Sequence, residues 1–324
     1  MNDYAEFARR MLSADSFVIA SHYNPDGDGI GSCIALGHAL EGAGKRVLLY
    51  NRDEIPENLR FLPKTDKFVR SLPDGERFDM AIMVDCGQRK RISDSFAAYP
   101  GFGTVACVDH HKMEGVEADM VLLDGEAASA GEVVMRLVKE AGLVVDLVLA
   151  QCIYTSLVVD TGFFRYSSTD AHTFALASEL VEMGAEPWTV AKNLDESYPA
   201  SRLNLLSRSL ATLELDLDGR YARMEVTQRM LAESGASMEY SDEFATYPRS
   251  IRGVEVAALF REVAGGLIKV SLRSKDLVDV AELARGMKGG GHARAAGLRI
   301  SASLDDAKKK IYDAAKEALK NSES

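Results

Sequence analysis

Short unbroken apolar runs alternate with stretches of helical length through the first half of the chain. Strands are predicted at 16–21, 46–50, 79–84 and 104–108, and a helix over 29–41. The runs are continuous rather than alternating, as strands buried on both faces of a parallel sheet require. Further helices are predicted at about 129–141, 146–159 and 171–183, the last closed by Gly184. Strand–helix alternation of this kind predicts an α/β, doubly wound parallel sheet.

The pattern changes after residue 186. Residues 187–215 read as helical and polar, interrupted at Pro199, and form a linker between 1–186 and a second domain over 216–324. Strand-like runs follow at 220–227, 254–261 and 267–273, with Gly265-Gly266 as hairpin punctuation. A helix over 279–286, then Gly289-Gly290-Gly291, then a helix over 305–319 complete a smaller α+β unit.

Four segments place a His or Asp just beyond an apolar run: His22-x-x-x-Asp26-Gly-Asp28, Asp85 after Val84, Asp109-His110-His111 after Val108, and Asp160-Thr161-Gly162 at a helix end. In a parallel α/β sheet ligands bind outside the carboxyl ends of the strands, so these side chains are expected along one edge. Taken singly each has an ordinary explanation: Asp-Gly turns, a helix N-cap, a surface His pair. Together, Asp26, Asp28, Asp85 and Asp160 would repel one another unless cations neutralise them. Imidazole and carboxylate donors without thiolate suit Mn²⁺, Mg²⁺ or Zn²⁺. Four carboxylates balance two divalent ions, a pair suited to in-line displacement at phosphorus by an activated hydroxide.

This series of motifs resembles the DHH phosphoesterase superfamily, named for the Asp109-His110-His111 element, and the resemblance runs from His22 through Gly184. It implies that His22, Asp26 and Asp85 hold one metal. Asp28, Asp85, His110 and Asp160 would hold the second, with Asp85 bridging. His111 would face the substrate phosphate and serve the leaving oxygen, with Asp109 orienting it. Mn²⁺ is the family's usual metal. His38 and His172 are expected to be structural.

The second domain is similar to the DHHA1 domain that accompanies one DHH subgroup. That resemblance assigns substrate binding to Gly289, Gly290, Gly291 and His292, and to Arg273 of Ser271-Leu-Arg273-Ser274. Arg294 is expected to add a donor, and Arg261 is a weaker candidate. By itself a glycine run could equally be a tight turn before a helix.

Composition refines this picture. The chain of 324 residues has 49 acidic and 38 basic side chains, a net charge of −11. That excludes a coat for long nucleic acid, which needs basic residues against phosphates. Residues 249–299, however, hold ten basic side chains against five acidic ones, a local field suited to guiding a phosphate ester. The four cysteines are widely spaced in apolar surroundings and read as buried free thiols. Neither a secretory signal nor an apolar run of about 18 residues is present, so a cytoplasmic protein without membrane contact is expected.

The compact two-domain form resembles the nanoRNase and pAp-phosphatase type. It implies a Mn²⁺-dependent phosphoesterase that hydrolyses short oligoribonucleotides to nucleoside 5′-monophosphates and dephosphorylates pAp, as a family-style homodimer. Cyclic-di-AMP or pApA hydrolysis is the alternative of like chemistry. A non-catalytic RNA- or nucleotide-binding module is the alternative of another class.

Overall fold

A computed structural model describes residues 3–263 and 265–322, with His292 described by its backbone alone. The chain divides into two compact units, 1–197 and 198–324.

The first unit contains α1 (Tyr4–Leu12), β1 (Ser16–Ala20), α2 (Gly27–Gly42), β2 (Arg46–Tyr50) and β3 (Phe78–Val84). Two short helices, α3 (Arg89–Ile92) and α4 (Asp94–Ala97), lead to β4 (Phe102–Asp109) and β5 (Met120–Leu123). Then come α5 (Ala130–Glu140), α6 (Leu147–Asp160), α7 (Ala171–Glu182) and α8 (Pro187–Asp195). The sheet order is β2-β1-β3-β4-β5, with every pairing parallel. This is the predicted doubly wound arrangement, extended by β5 at one edge.

Both faces are covered, which explains the continuous apolar strands. One face buries Phe17, Ile19, Ile82 and Val108 under α1, α2, α5 and α6. The other buries Val18, Met83 and Cys107 against Tyr50, Ile92 and Phe96. The four cysteines are free and buried. Helices α2 and α6 meet backbone to backbone: a Cβ on Gly31 would lie 2.6 Å from the Cys152 carbonyl oxygen. Only glycine permits that approach, and it brings the start of α2 beside the last turns of α6.

In the second unit α9 (Ala200–Leu210) begins after Pro199 and is followed by β6 (Glu214–Asp216), β7 (Tyr221–Val226), α10 (Gln228–Ser234) and α11 (Thr246–Ser250). The rest is β8 (Val256–Val263), β9 (Leu267–Ser274), α12 (Val280–Arg285), β10 (Gly290–His292), β11 (Ala295–Ser301) and α13 (Leu304–Asn321). The sheet runs β10-β11-β9-β8-β7-β6 and is antiparallel except between β7 and β8. Ala307, Ile311, Ala315 and Leu319 recur every four residues along α13, packing with Phe260, Val270, Leu272 and Leu298. The glycine run precedes no helix. Gly290–His292 is an edge strand that pairs with β11 as a hairpin. No helix among the described residues is long and apolar enough to cross a membrane.

Candidate metal centre

Parallel register aligns the ends of three adjacent strands. Ala20 of β1 lies beside Met83 of β3, which lies beside Cys107 of β4. His22, Asp85 and Asp109 therefore emerge from one edge. Asp85 breaks from its strand in a left-handed conformation, φ 56°, while its amide still donates to the Val108 carbonyl at 3.1 Å. Such a conformation is costly for a non-glycine residue, and it turns the carboxylate across the sheet edge.

Helix ends supply the remaining groups. Asp26 is the N-cap of α2 and accepts from the Gly29 amide at 3.0 Å. Asp28, in the first turn of α2, is fully buried. Its carboxylate accepts from the Ala130 amide (2.9 Å), the Gly131 amide (3.2 Å), Ser156 Oγ (2.5 Å) and Ser32 Oγ (3.2 Å). The N-terminus of α5 thus points at Asp28, a favourable end for an anion. Asp160 closes α6.

The six expected ligands gather into two overlapping groups. His22 Nε2 lies 3.3 Å from Asp85 Oδ2 and 3.9 Å from Asp26 Oδ2. His110 Nε2 lies 3.6 Å from Asp28 Oδ2, 3.4 Å from Asp160 Oδ2 and 3.9 Å from Asp85 Oδ1. Ligand atoms of His22, Asp26 and Asp85 fall within 4.8 Å of one another, as do those of Asp28, His110 and Asp160. A third such group joins Asp85, Asp109, His110 and His111.

The donor chemistry fits a cation. His110 Nδ1 faces the Ala127 carbonyl at 3.3 Å and His22 Nδ1 the Tyr23 carbonyl at 2.9 Å. A carbonyl only accepts, so both rings carry hydrogen on Nδ1 and turn Nε2 toward carboxylates. His110 Nε2 is buried without a hydrogen-bond partner among the described residues. A buried imidazole nitrogen that faces three carboxylates and hydrogen-bonds to none of them leaves room for a cation shared among them. The titration directions agree. Burial, with the charges of Asp85 and Asp26 and against that of His110, raises Asp160 to about 6. Burial, with the charges of Asp85 and Asp160, pushes Asp28 well above the ordinary range. At His22 burial opposes the charged ring, but Asp85 and Asp26 overcome it and raise the imidazole to about 9. Asp85 is held below the usual carboxylate range: the His111 and His22 imidazoles outweigh its burial.

His111 sits differently. Its Nδ1 donates to Asp109 Oδ1 at 2.7 Å, and its amide donates to the same oxygen at 2.9 Å. Asp109 is fully buried and clamps both ring and backbone. Burial of His111 is again outweighed by Asp109 and Asp85, which raise the ring to about 11.

Both units match known family models. The DHH family N-terminal domain matches residues 16–157 and the DHHA1 domain residues 221–321. The bifunctional oligoribonuclease and PAP phosphatase NrnA of Thermus thermophilus is 30% identical over 305 residues, 93% of this chain and 89% of that protein. The chain belongs to the DHH family. The NrnA of Bacillus subtilis is 26% identical over 316 residues, 95% of this chain and 96% of that one. Among solved structures, an exopolyphosphatase-related protein from Bacteroides fragilis superposes with TM-score 0.91 at 28% identity, covering 100% of this chain and 98% of that one.

In the DHHA1 domain Arg273 of β9 pairs with Ala295 of β11, which pairs with position 292 of β10. Gly290 and Gly291 lie on that edge strand and Gly289 just before it. The side chain of His292 lies outside the described residues. Two expectations are corrected. Arg294 donates to the Val278 carbonyl (3.0 Å) and the Asp276 carbonyl (2.5 Å), bracing the 275–279 loop rather than presenting donors to an anion. Arg261 is 1% exposed, bonded to Asp242 and, at 2.7 Å, to Ser271 Oγ, so it serves the domain interior.

The bracing of Asp28 is what sequence reasoning missed. Ser129, the N-cap of α5, accepts from Ser156 Oγ at 2.8 Å and carries a capping signal in the sequence, but Ser32 and Ser156 stand inside helices without one. His38 and His172 do take structural partners, Asp146 at 2.8 Å and Glu132 at 3.1 Å.

Proposed function

We propose that the protein is a metal-dependent phosphoesterase that hydrolyses short oligoribonucleotides to nucleoside 5′-monophosphates and removes the 3′-phosphate of pAp. The observation that carries this reading is the convergence of buried His110 Nε2 with the carboxylates of Asp28, Asp85 and Asp160. The names of the relatives from Thermus thermophilus and Bacillus subtilis supply the substrate class.

His22, Asp26 and Asp85 would hold one divalent ion, and Asp28, Asp85, His110 and Asp160 a second, with Mn²⁺ as the metal. Ions held there supply Lewis acidity and neutralise phosphoryl charge. The protein's own groups do the rest. Asp28 is fixed by the α5 amides and two serines, so its half of the centre is preorganised. Asp109 sets the His111 ring through Nδ1, which aims Nε2 at the substrate's phosphoryl oxygens and leaving group. Arg273 and Gly289, Gly290, Gly291 and His292 would bind the nucleotide in the DHHA1 domain.

The test is a panel of labelled dinucleotides, pAp, pApA and cyclic-di-AMP with Mn²⁺, Mg²⁺ and Co²⁺. Turnover of dinucleotides and pAp supports the reading, and preference for pApA or cyclic-di-AMP reassigns the substrate. Nucleotide affinity without turnover at any ion refutes an enzyme. Asp85→Ala should abolish turnover while circular dichroism stays native.

A further inference from the structure

Directly after Asp160 the backbone enters an unusual turn. Gly162, Phe163 and Phe164 are all left-handed, with φ of 56°, 62° and 60°. Glycine takes that conformation freely, but each phenylalanine does so at a cost of roughly 1–2 kcal/mol. Such a turn persists only when its surroundings over-determine it, and here they do. Thr161 is fully buried. Its Oγ1 donates to the Leu157 carbonyl (2.5 Å) and accepts from the Phe164 amide (3.0 Å). The Phe163 amide donates to Val158 (2.7 Å), and those of Arg165 and Tyr166 to Thr161 (2.9 and 3.0 Å). Phe164 stacks on Phe174 at 5.4 Å. A Cβ on Gly162 would lie 2.4 Å from the Tyr166 ring, so that ring rests flat on the glycine.

The turn delivers Arg165. Its guanidinium is exposed, directed by a 2.5 Å bond from Nε to the Gly162 carbonyl and lying 5.7 Å from the Phe163 ring centroid. It forms no ion pair with a carboxylate among the described residues. A guanidinium so held keeps its fork of Nη donors for another acceptor, and that fork suits phosphate oxygens. Asp160 stands five residues earlier, with Oδ2 3.4 Å from His110 Nε2. The chain therefore spends backbone strain to fix a cation that has no carboxylate partner among the described residues, five residues along the chain from the proposed ligand Asp160.

We propose that Arg165 is a substrate-positioning residue that grips a phosphate of the nucleotide bound at the metal centre. The proposal rests on the phosphoesterase reading given above. It assigns to the 162–166 turn the task of fixing the guanidinium before substrate arrives.

Arg165→Ala and Arg165→Lys are compared with the unaltered protein on pAp and a 5′-phosphorylated dinucleotide. Arg165→Ala should raise KM about tenfold or more while kcat stays within about threefold, and Arg165→Lys should recover part of the loss. Tm and the Mn²⁺ dependence should not move. An unchanged KM, a loss confined to kcat, or a Tm shift that accompanies the loss would each overturn the proposal. Calorimetric binding of AMP to the Mn²⁺-loaded proteins separates the two ideas. If no protein turns over but Arg165→Ala weakens AMP about tenfold, the phosphoesterase reading fails and the role of Arg165 stands. If the unaltered protein turns over and AMP binding is the same in both, the role of Arg165 fails alone.

Discussion

Metal uptake should release protons, and His22 should supply one of them. Without a bound ion His22 holds its second proton on Nε2, shared with Asp85 Oδ2 at 3.3 Å, and titrates at about 9. At pH 7 it is about 99% protonated. Coordination requires the Nε2 lone pair, so that proton must leave. Asp160, at about 6, is roughly one-tenth protonated at pH 7 and adds little. His111, raised to about 11, stays protonated because Asp109 holds it outside the proposed ligand set. At pH 7 His22 therefore contributes about one proton, and Asp28, pushed well above the ordinary range by burial and the charges of Asp85 and Asp160, adds to that count. The sign follows: protons compete with the metal at His22, so affinity rises as pH rises. It should climb about tenfold per unit toward pH 9 and flatten above it. Calorimetric titration with Mn²⁺ in Pipes and in Tris reads the proton count as the slope of observed heat against buffer ionisation heat. His22→Gln should lower the slope by about one. A slope left unchanged by His22→Gln would falsify the His22 assignment.

Three further outcomes are expected. Asp109→Asn exchanges an oxygen that accepts twice from His111 for a weaker neutral acceptor, so kcat should fall about 10–100-fold with metal affinity retained; unchanged kcat at neutral pH would remove the orienting role. Asp28→Ala removes the acceptor of two amides and two hydroxyls, of which the Gly131 amide keeps Ser156 Oγ (3.1 Å) and Ser156 keeps Ser129 Oγ (2.8 Å), so the loss in urea unfolding should be about 2–4 kcal/mol, whereas a loss below about 1 kcal/mol would mean the site collapses around water. Glu255→Ala removes the carboxylate that accepts from the amides of Asp276, Leu277 and Val278, only the last fully buried, and should cost the DHHA1 domain about 2–4 kcal/mol. The single tryptophan, Trp188, lies in the DHH unit, so that loss should appear in the dichroism of unfolding and leave Trp fluorescence unmoved; a fluorescence shift of equal size contradicts a local effect.

Much of the DHH domain was legible because its chemistry is tied to secondary-structure ends. Apolar runs at 16–21, 79–84 and 104–108 mark strands, and a parallel sheet necessarily brings their carboxyl ends together. Hence His22, Asp85 and His110 converge without any knowledge of side-chain contacts. Strand β5 escaped because four residues, Met120–Leu123, at a sheet edge carry too short a signal. Strand β10 escaped because Gly290 and Gly291 have no side chains to show a pattern, and only its pairing with β11 makes it a strand.

The corrected arginines show where charge counting ends. Ten basic residues over 249–299 predict a cationic surface, but the count does not distinguish a guanidinium offered to a ligand from one consumed by the fold. Arg261 is turned inward to Asp242 and Ser271, and Arg294 is bound to two carbonyls. Arg165 presents the converse. It lies outside the basic window, next to acidic motifs, and nothing in local composition marks it. Its significance comes from three left-handed residues whose strain is visible only in the backbone. A phosphate ester approaching four carboxylates needs positive charge placed with little room for error, so a single strained turn that fixes one cation can matter more than several mobile ones elsewhere.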